Sequence, residues 1–194
     1  MNETLIGLVD QIQKLHDELD REIAKRRIGF GFDLSGKFVR FEKDVVARHR
    51  KMRTGVVRYL AEAQLPTLLT APVIYSMIVP IVLLDFWVTI YQHICFRAYG
   101  VERVKRTDYI VIDRNHLSYL NWIEAMNCVY CSYANGVIAY AREVAGRTEL
   151  FWCPIKHALR VKDPHQHYFE FLEYGDADGY RARLEEFRKR LMQA

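Results

Sequence analysis

The sequence predicts a mainly α-helical chain with a few short strands. It reads as a small single domain, anchored in a membrane by a bent apolar helical element. Three observations predict this. An uncharged apolar run lies between Glu62 and Asp85. Leucines and isoleucines near the N-terminus recur at spacings of three and four. A helical pattern then runs from Ser118 to about Arg147, and strand signals are confined to two short stretches. The 194 residues suffice for one domain, or for a small domain plus a membrane element. With 51% hydrophobic and 27% charged residues, the composition excludes a disordered chain. The net charge of +4 is mild and its basic residues are mixed with acids, so nucleic acid is not expected as a partner. No basic stretch followed by an apolar one opens the chain, so no secretory signal is expected.

Taken in order, residues 1–62 are expected to hold amphipathic helices and a hairpin. Leu5, Leu8, Ile12, Leu15 and Leu19 form a heptad-like seam, suited to packing on the chain's own body or to self-association. Lys25, Arg26 and Arg27 end that helix. The stretch IGFGFDLSGKFVRF offers two aromatic-rich strands around Asp33-Leu34-Ser35-Gly36. From Glu42 to Ala63 a basic amphipathic helix leads towards the membrane, and such a helix suits anionic headgroups.

Residues 63–99 form the membrane element. The run QLPTLLTAPVIYSMIVPIVLL can cross a bilayer core at about 1.5 Å per residue. Trp87, Tyr91 and Tyr99 suit the interface. Both flanks are basic, with Arg48, Arg50, Lys51, Arg53 and Arg58 before and Arg97, Arg103, Lys105 and Arg106 after. A single span would have one basic side. Pro72 and Pro80 each remove a backbone donor and favour a bend. A re-entrant element therefore fits better than a single tilted span. The lipid bilayer is the expected partner, at the inner membrane with the bulk of the chain facing the cytoplasm. Asp85 and His93 are the polar groups of this element, and charge at membrane depth is costly and often functional.

Residues 100–194 hold the chemistry. Tyr109-Ile-Val-Ile112 reads as a strand. The long helix that follows has a weak point at Asn135-Gly136. The segment around Pro154 and Pro164 reads as irregular or made of short turns, and Asp176 or Asp178 caps a last helix from about Gly179 to Leu191. Within this part lie Cys128 and Cys131 (Cys-x-x-Cys), then Cys153 and His157 (Cys-x-x-x-His). Three thiolates and one imidazole match a tetrahedral zinc site. Glu124 or Glu149 in place of one ligand would move the preference to iron or manganese. The same cysteines also admit a thiol–disulfide pair at Cys128 and Cys131, an iron–sulfur cluster drawing on Cys95, or plain burial.

Residues 109–121 read YIVIDRNHLSYLN, and Asn-His-x-Ser after a strand resembles the first motif of the glycerophospholipid acyltransferases. The resemblance covers about seven residues. It implies that His116 deprotonates an acyl-accepting hydroxyl, oriented by an acid five positions on. That position is Asn121 here, which cannot stabilise an imidazolium as a carboxylate does. The later Glu-Gly-Thr-type motif of the family is absent. A cap at the start of the helix is the plainer role for His116.

The expected function is a membrane-anchored metal-binding protein with a Cys3His site at Cys128, Cys131, Cys153 and His157. Zinc is the expected metal, with iron as the other candidate. The site would be structural, in a scaffold or a subunit of a larger membrane complex, with self-association through the N-terminal helix as a further contact. A membrane-surface redox or metal-dependent enzyme is the alternative, and an acyltransferase-like enzyme using His116 a third. No residue is singled out as catalytic under the first reading.

Overall fold

The computed structural model describes residues 3–28, 32–35 and 38–193. Their fold is mainly helical, and one two-stranded hairpin holds the only strands among them. Contacts divide the chain into two units: Met1–Glu62 with Asp113–Asn127, and Ala63–Ile112 with Cys128–Ala194.

In the first unit, α1 (Glu3–Ile28) carries the expected amphipathic pattern. Leu8, Ile12, Leu15 and Leu19 are all exposed, so the seam has no partner within the described residues. The Leu5 side chain lies outside them. The hairpin forms from β1 (Phe32–Ser35) and β2 (Phe38–Phe41), antiparallel with Phe32 opposite Phe41 and Ser35 opposite Phe38. Its turn at Gly36 lies outside the described residues.

The single helix expected over Glu42–Ala63 is two helices, α2 (Lys43–Lys51) and α3 (Val56–Glu62). Thr54 and Gly55 between them are weak helix formers. The chain leaves α2 through tightened bonds from Met52 to the His49 carbonyl and from Arg53 to the Arg50 carbonyl. Arg48, His49, Arg50 and Lys51 crowd the last turn of α2, where the helix dipole favours positive charge. The His49 ring sits edge-on to both Phe41 and Tyr119, at 5.5 and 5.2 Å between centroids.

The second unit opens with α4 (Leu65–Ser76) and α5 (Ile78–Tyr91). Pro66 stands in the first turn of α4, where a missing donor costs nothing. The hydrogen-bond ladder skips a rung beside Met77, whose backbone stays right-handed helical at φ −62° and ψ −14°, because Pro80 offers no N–H to the carbonyl of Ser76. A π-helical turn (Gln92–Phe96) and a short α6 (Arg97–Tyr99) complete the run. It stops at Gly100, whose φ of 70° is the left-handed conformation glycine adopts freely. There the Val101 N–H reaches back to the Phe96 carbonyl at 2.9 Å and the Gly100 N–H to Arg97. Val101 and Phe96 are both buried in the core, as a Schellman stop requires.

The expected strand at Tyr109–Ile112 is not one. α7 (Arg106–Tyr109) ends there, and Ile110 continues in extended backbone with no strand beside it. The reason lies on the next helix, α8 (Trp122–Trp152). A Cβ at Gly136 would meet the Ile110 Cα and the Tyr109 carbonyl oxygen at 2.8 Å. Glycine here lets an extended apolar segment lie on a helix rather than in a sheet. The same contact explains why α8 runs unbroken through Asn135-Gly136. Asn135 adds a bond from its Nδ2 to the Cys131 carbonyl, at 2.9 Å.

The core of this unit gathers Phe96, Val104, Tyr140, Val144, Leu150, Phe151, Phe171 and Phe187 around α8. Between α8 and the last helix the chain is irregular apart from a 3-10 helix (Gln166–Glu170) and a bridge between Ile155 and Leu172. Asp176 caps α9 (Ala177–Gln193) through its Oδ1 on the Gly179 N–H, at 2.8 Å.

Candidate functional site

Two polar clusters lie along α8 within the second unit. The first faces α5. Ile81, Asp85, Gln92 and Phe96 are buried and form the packed stripe of the apolar run. A buried carboxylate needs charged or hydrogen-bonding partners, and Asp85 has both. Arg106 donates Nε to Oδ1 at 2.9 Å and Nη2 to Oδ2 at 2.6 Å, a two-point clamp. The Tyr133 hydroxyl donates to Oδ2 at 2.8 Å. Two turns further, Gln92 closes a second set of bonds. Its Oε1 accepts the Val104 N–H at 2.9 Å, and its Nε2 donates to the Val104 carbonyl and to the Tyr140 hydroxyl. Asp85 and Gln92 thus tie the apolar helix to residues 104–106 and to α8. Tyr91 and Tyr99, read as interface anchors, turn inward: Tyr91 bonds Thr148 at 3.1 Å, and Tyr99 stacks on Phe151. Trp87 stays exposed. His93 is exposed and bonds the Thr89 carbonyl of its own helix.

The second cluster joins α8 to residues 164–170. Glu143 is buried and accepts from Arg147 Nε (2.8 Å) and Gln166 Nε2 (3.0 Å), and it pairs with His167 Nε2 (3.1 Å). Burial alone would raise the Glu143 pKa. The bonds and charges of His167 and Arg147 outweigh it and hold the carboxyl at about 2. Two turns along, Glu149 holds His165 Nε2 at 2.9 Å. Gly146 stands between the two acids, and a Cβ there would press on His165 Nδ1 at 3.0 Å and His167 Cδ2 at 3.3 Å. The missing side chain is what admits both imidazoles. The sequence carried a signal for this cluster, Glu-x-x-Gly-x-x-Glu and a later His-x-His, that helical spacing alone does not pair.

The structure does not bring Cys128, Cys131, Cys153 and His157 to one point. Cys128 and Cys131 sit one turn apart in the body of α8, while Cys153 follows its last residue. The helix between Cys131 and Cys153 is ~33 Å long at 1.5 Å per residue, against zinc–sulfur bonds of about 2.3 Å. His157 is exposed, with its ring stacked on Tyr168 at 5.8 Å. All four cysteines are free thiols. Burial, then the Glu149 charge, raises the Cys153 pKa and favours its neutral form. Among the described residues no group of three or more His, Cys, Asp and Glu is placed to hold a metal ion. Cβ atoms one helical turn apart stand about 5–6 Å from each other, beyond the 3.5–4.5 Å of a disulfide.

Of the stretch that resembles the acyltransferase motif, residues 113–121 lie in the first unit. His116 is exposed, in a 3-10 turn (Arg114–His116). Asn121 does not face it as an orienting partner. Its Oδ1 accepts the N–H groups of Ile123 (3.0 Å) and Glu124 (3.1 Å), while Glu124 Oε2 takes the Asn121 N–H at 2.8 Å. This reciprocal capping box starts α8 at Trp122 rather than at Ser118. The pattern Asn-x-x-Glu was present in the sequence to signal it.

No family model, curated protein or solved structure matches the chain.

Proposed function

We propose that this chain is a membrane-anchored helical protein that seats α4 and α5 in a bilayer. One observation carries the reading: the Leu65–Tyr99 run has two different faces. On one, Ile81, Asp85, Gln92 and Phe96 are buried against the chain's own residues, with every strongly polar group paired. On the other, Leu69, Val73, Val79, Val82, Leu83, Phe86 and Trp87 are open. Water would not tolerate so long an apolar surface on a stable monomer, whereas lipid would. Among the described residues this is the one helix long and apolar enough to cross a membrane.

The element is re-entrant in this reading. α4 and α5, of 12 and 14 residues, follow one another through Met77, whose backbone stays right-handed helical at φ −62° and ψ −14°. The basic residues on both flanks favour two arms that enter and leave on one side. Trypsin applied to sealed inverted vesicles tests this. Cleavage on both basic flanks from the cytoplasmic side supports the re-entrant form, while protection of one flank means a full span. The anchor itself is tested by alkaline carbonate extraction. The wild type should stay in the pellet, and Leu83→Lys/Trp87→Lys, on the open face, should move to the supernatant with its helical circular dichroism intact. A wild type found in the soluble fraction would overturn the reading.

A further inference from the structure

α1 is exposed on every side. Of its 26 residues, each one whose side chain the structure describes is open to solvent, all the way round the helix. A helix in water draws most of its stability from packing an apolar face. That face is present here and uncovered: Leu8, Ile12, Leu15, Leu19 and Ile23 are 39% to 64% exposed.

The shape and charge of the face select its occupant. It is narrow, because Leu8, Ile12, Leu15 and Leu19 recur at spacings of four, three and four. That is the period of a coiled-coil seam rather than of a broad stripe. The polar surround is acidic, with Asp10, Asp17, Glu18, Asp20 and Glu22 against Lys14 and Arg21. Helices that lie on anionic headgroups carry lysine and arginine there instead. A second copy of the helix fits, in one direction. Continued in step beyond Leu19, the seam reaches Glu22 and then Arg26. A parallel pair in register would set each of these against its own counterpart, and facing like charges repel. Lys25, paired with Glu22 at 2.6 Å, offsets the first of these layers but not the arginine one. Turned antiparallel, Leu8 meets Leu19 of the second copy and Ile12 meets its Leu15, in layers related by a two-fold axis. The acid-rich stretch 17–22 then lies beside residues 5–10 of the second copy, where Asp10 is the only charge. Lys25 and Arg26 lie away from their counterparts.

We infer that α1 pairs antiparallel with α1 of a second copy of this chain. The inference is independent of the membrane reading, because α1 belongs to the first unit.

The test is sedimentation of the full chain in density-matched detergent over a wide range of concentration. The wild type should pass from monomer to dimer. Amides of α1, quick to exchange with deuterium while the seam is uncovered, should slow as it does so. Ile12→Lys/Leu15→Lys sets four cations at the centre of the pair and should weaken association about a hundredfold or more. Both residues are exposed, so the circular dichroism of the monomer should be unchanged. Asp10→Lys/Asp17→Lys, on the opposite face of the helix, should associate as the wild type does. Photo-crosslinking from p-benzoylphenylalanine in place of Leu8 reads the direction. Adducts should fall in the tryptic peptide 15–21 rather than in 1–14. Leu8 and Leu19 of one helix are ~17 Å apart, so such an adduct joins two copies. Run in intact cells, the same crosslink should again join two copies. A wild type that stays monomeric, a dimer that survives Ile12→Lys/Leu15→Lys, adducts in peptide 1–14, or an adduct to lipid or to a different protein would each overturn the inference.

Discussion

Two side chains carry the sharpest consequences at the scale of single residues. Asn121 starts α8 with its side chain, so Asn121→Ala should lower stability by about 1 kcal/mol, while Asn121→Asp should be nearly neutral. Thermal melts of the two variants decide this, and equal losses in both would deny the cap. Glu143 sets a pH dependence. Its carboxyl is held at about 2, against an ordinary value of 4.5. A carboxyl depressed by folding binds its proton more readily in the unfolded chain. The stability it contributes is therefore complete above about pH 4.5 and lost as pH falls towards about 2. Glu143→Gln should be less stable at neutral pH and should flatten the melting-temperature profile across that window. A profile as steep as the wild type's would place the acid sensitivity elsewhere. How Glu143 finds its imidazole was not legible in the sequence, because His167 sits in a short 3-10 helix whose pairing with α8 no local spacing signals. The Asn-x-x-Glu cap was legible, since capping bonds are local and need only neighbours in the chain.

Elements follow their own patterns where those are local and depart from them where a distant segment intervenes. The amphipathic α1 and the Asp176-capped α9 appear where spacing and capping residues place them, and the hairpin forms in the expected stretch but with Asp33, Leu34 and Ser35 inside β1 rather than between the strands. Tyr109–Ile112 does not, because β-branched residues specify extended backbone without specifying what covers it. Here a helix covers it, at the one residue without a side chain. Gly136→Ala would drive a methyl group into the Ile110 backbone, with no flexible side chain to yield. It should cost about 1–3 kcal/mol, although alanine is the better helix former. Denaturant titration of Gly136→Ala beside Gly7→Ala separates the effects. A Cβ at Gly7 meets nothing within 4 Å, so that variant should be neutral or stabilising. If both stabilise, the close approach is not holding the two segments together.

For the molecule as a whole, the decisive fact about the candidate metal ligands is the length of α8. Four residues close enough in sequence to suggest one centre are spread by a rigid rod into two distant pairs. Sequence spacing gives the ligand types and the local turn. It leaves open whether the chain folds back, and an unbroken helix rules that out between Cys131 and Cys153. Cys128→Ser and Cys153→Ser should therefore change the Tm additively, as independent sites ~38 Å apart do. A double variant no worse than either single one, together with about one zinc per chain in the wild type, would restore a shared site. The two-faced character of Leu65–Tyr99 also belongs to this scale. Hydropathy alone marks the segment, but only the partners of Asp85 and Gln92 separate its packed side from its open one.

In the second unit, residues 104–110, the Glu143-bound segment 164–170 and α9 all rest on α8. That arrangement has a consequence for the order in which the protein comes apart. Amides in the middle of α8, around Val137 to Val144, become exchangeable with solvent deuterium only when several of these layers lift together. They should be among the last to exchange, at rates set by global opening. The amides of α1, whose apolar seam is uncovered, need no such concerted event and should exchange early through local fraying.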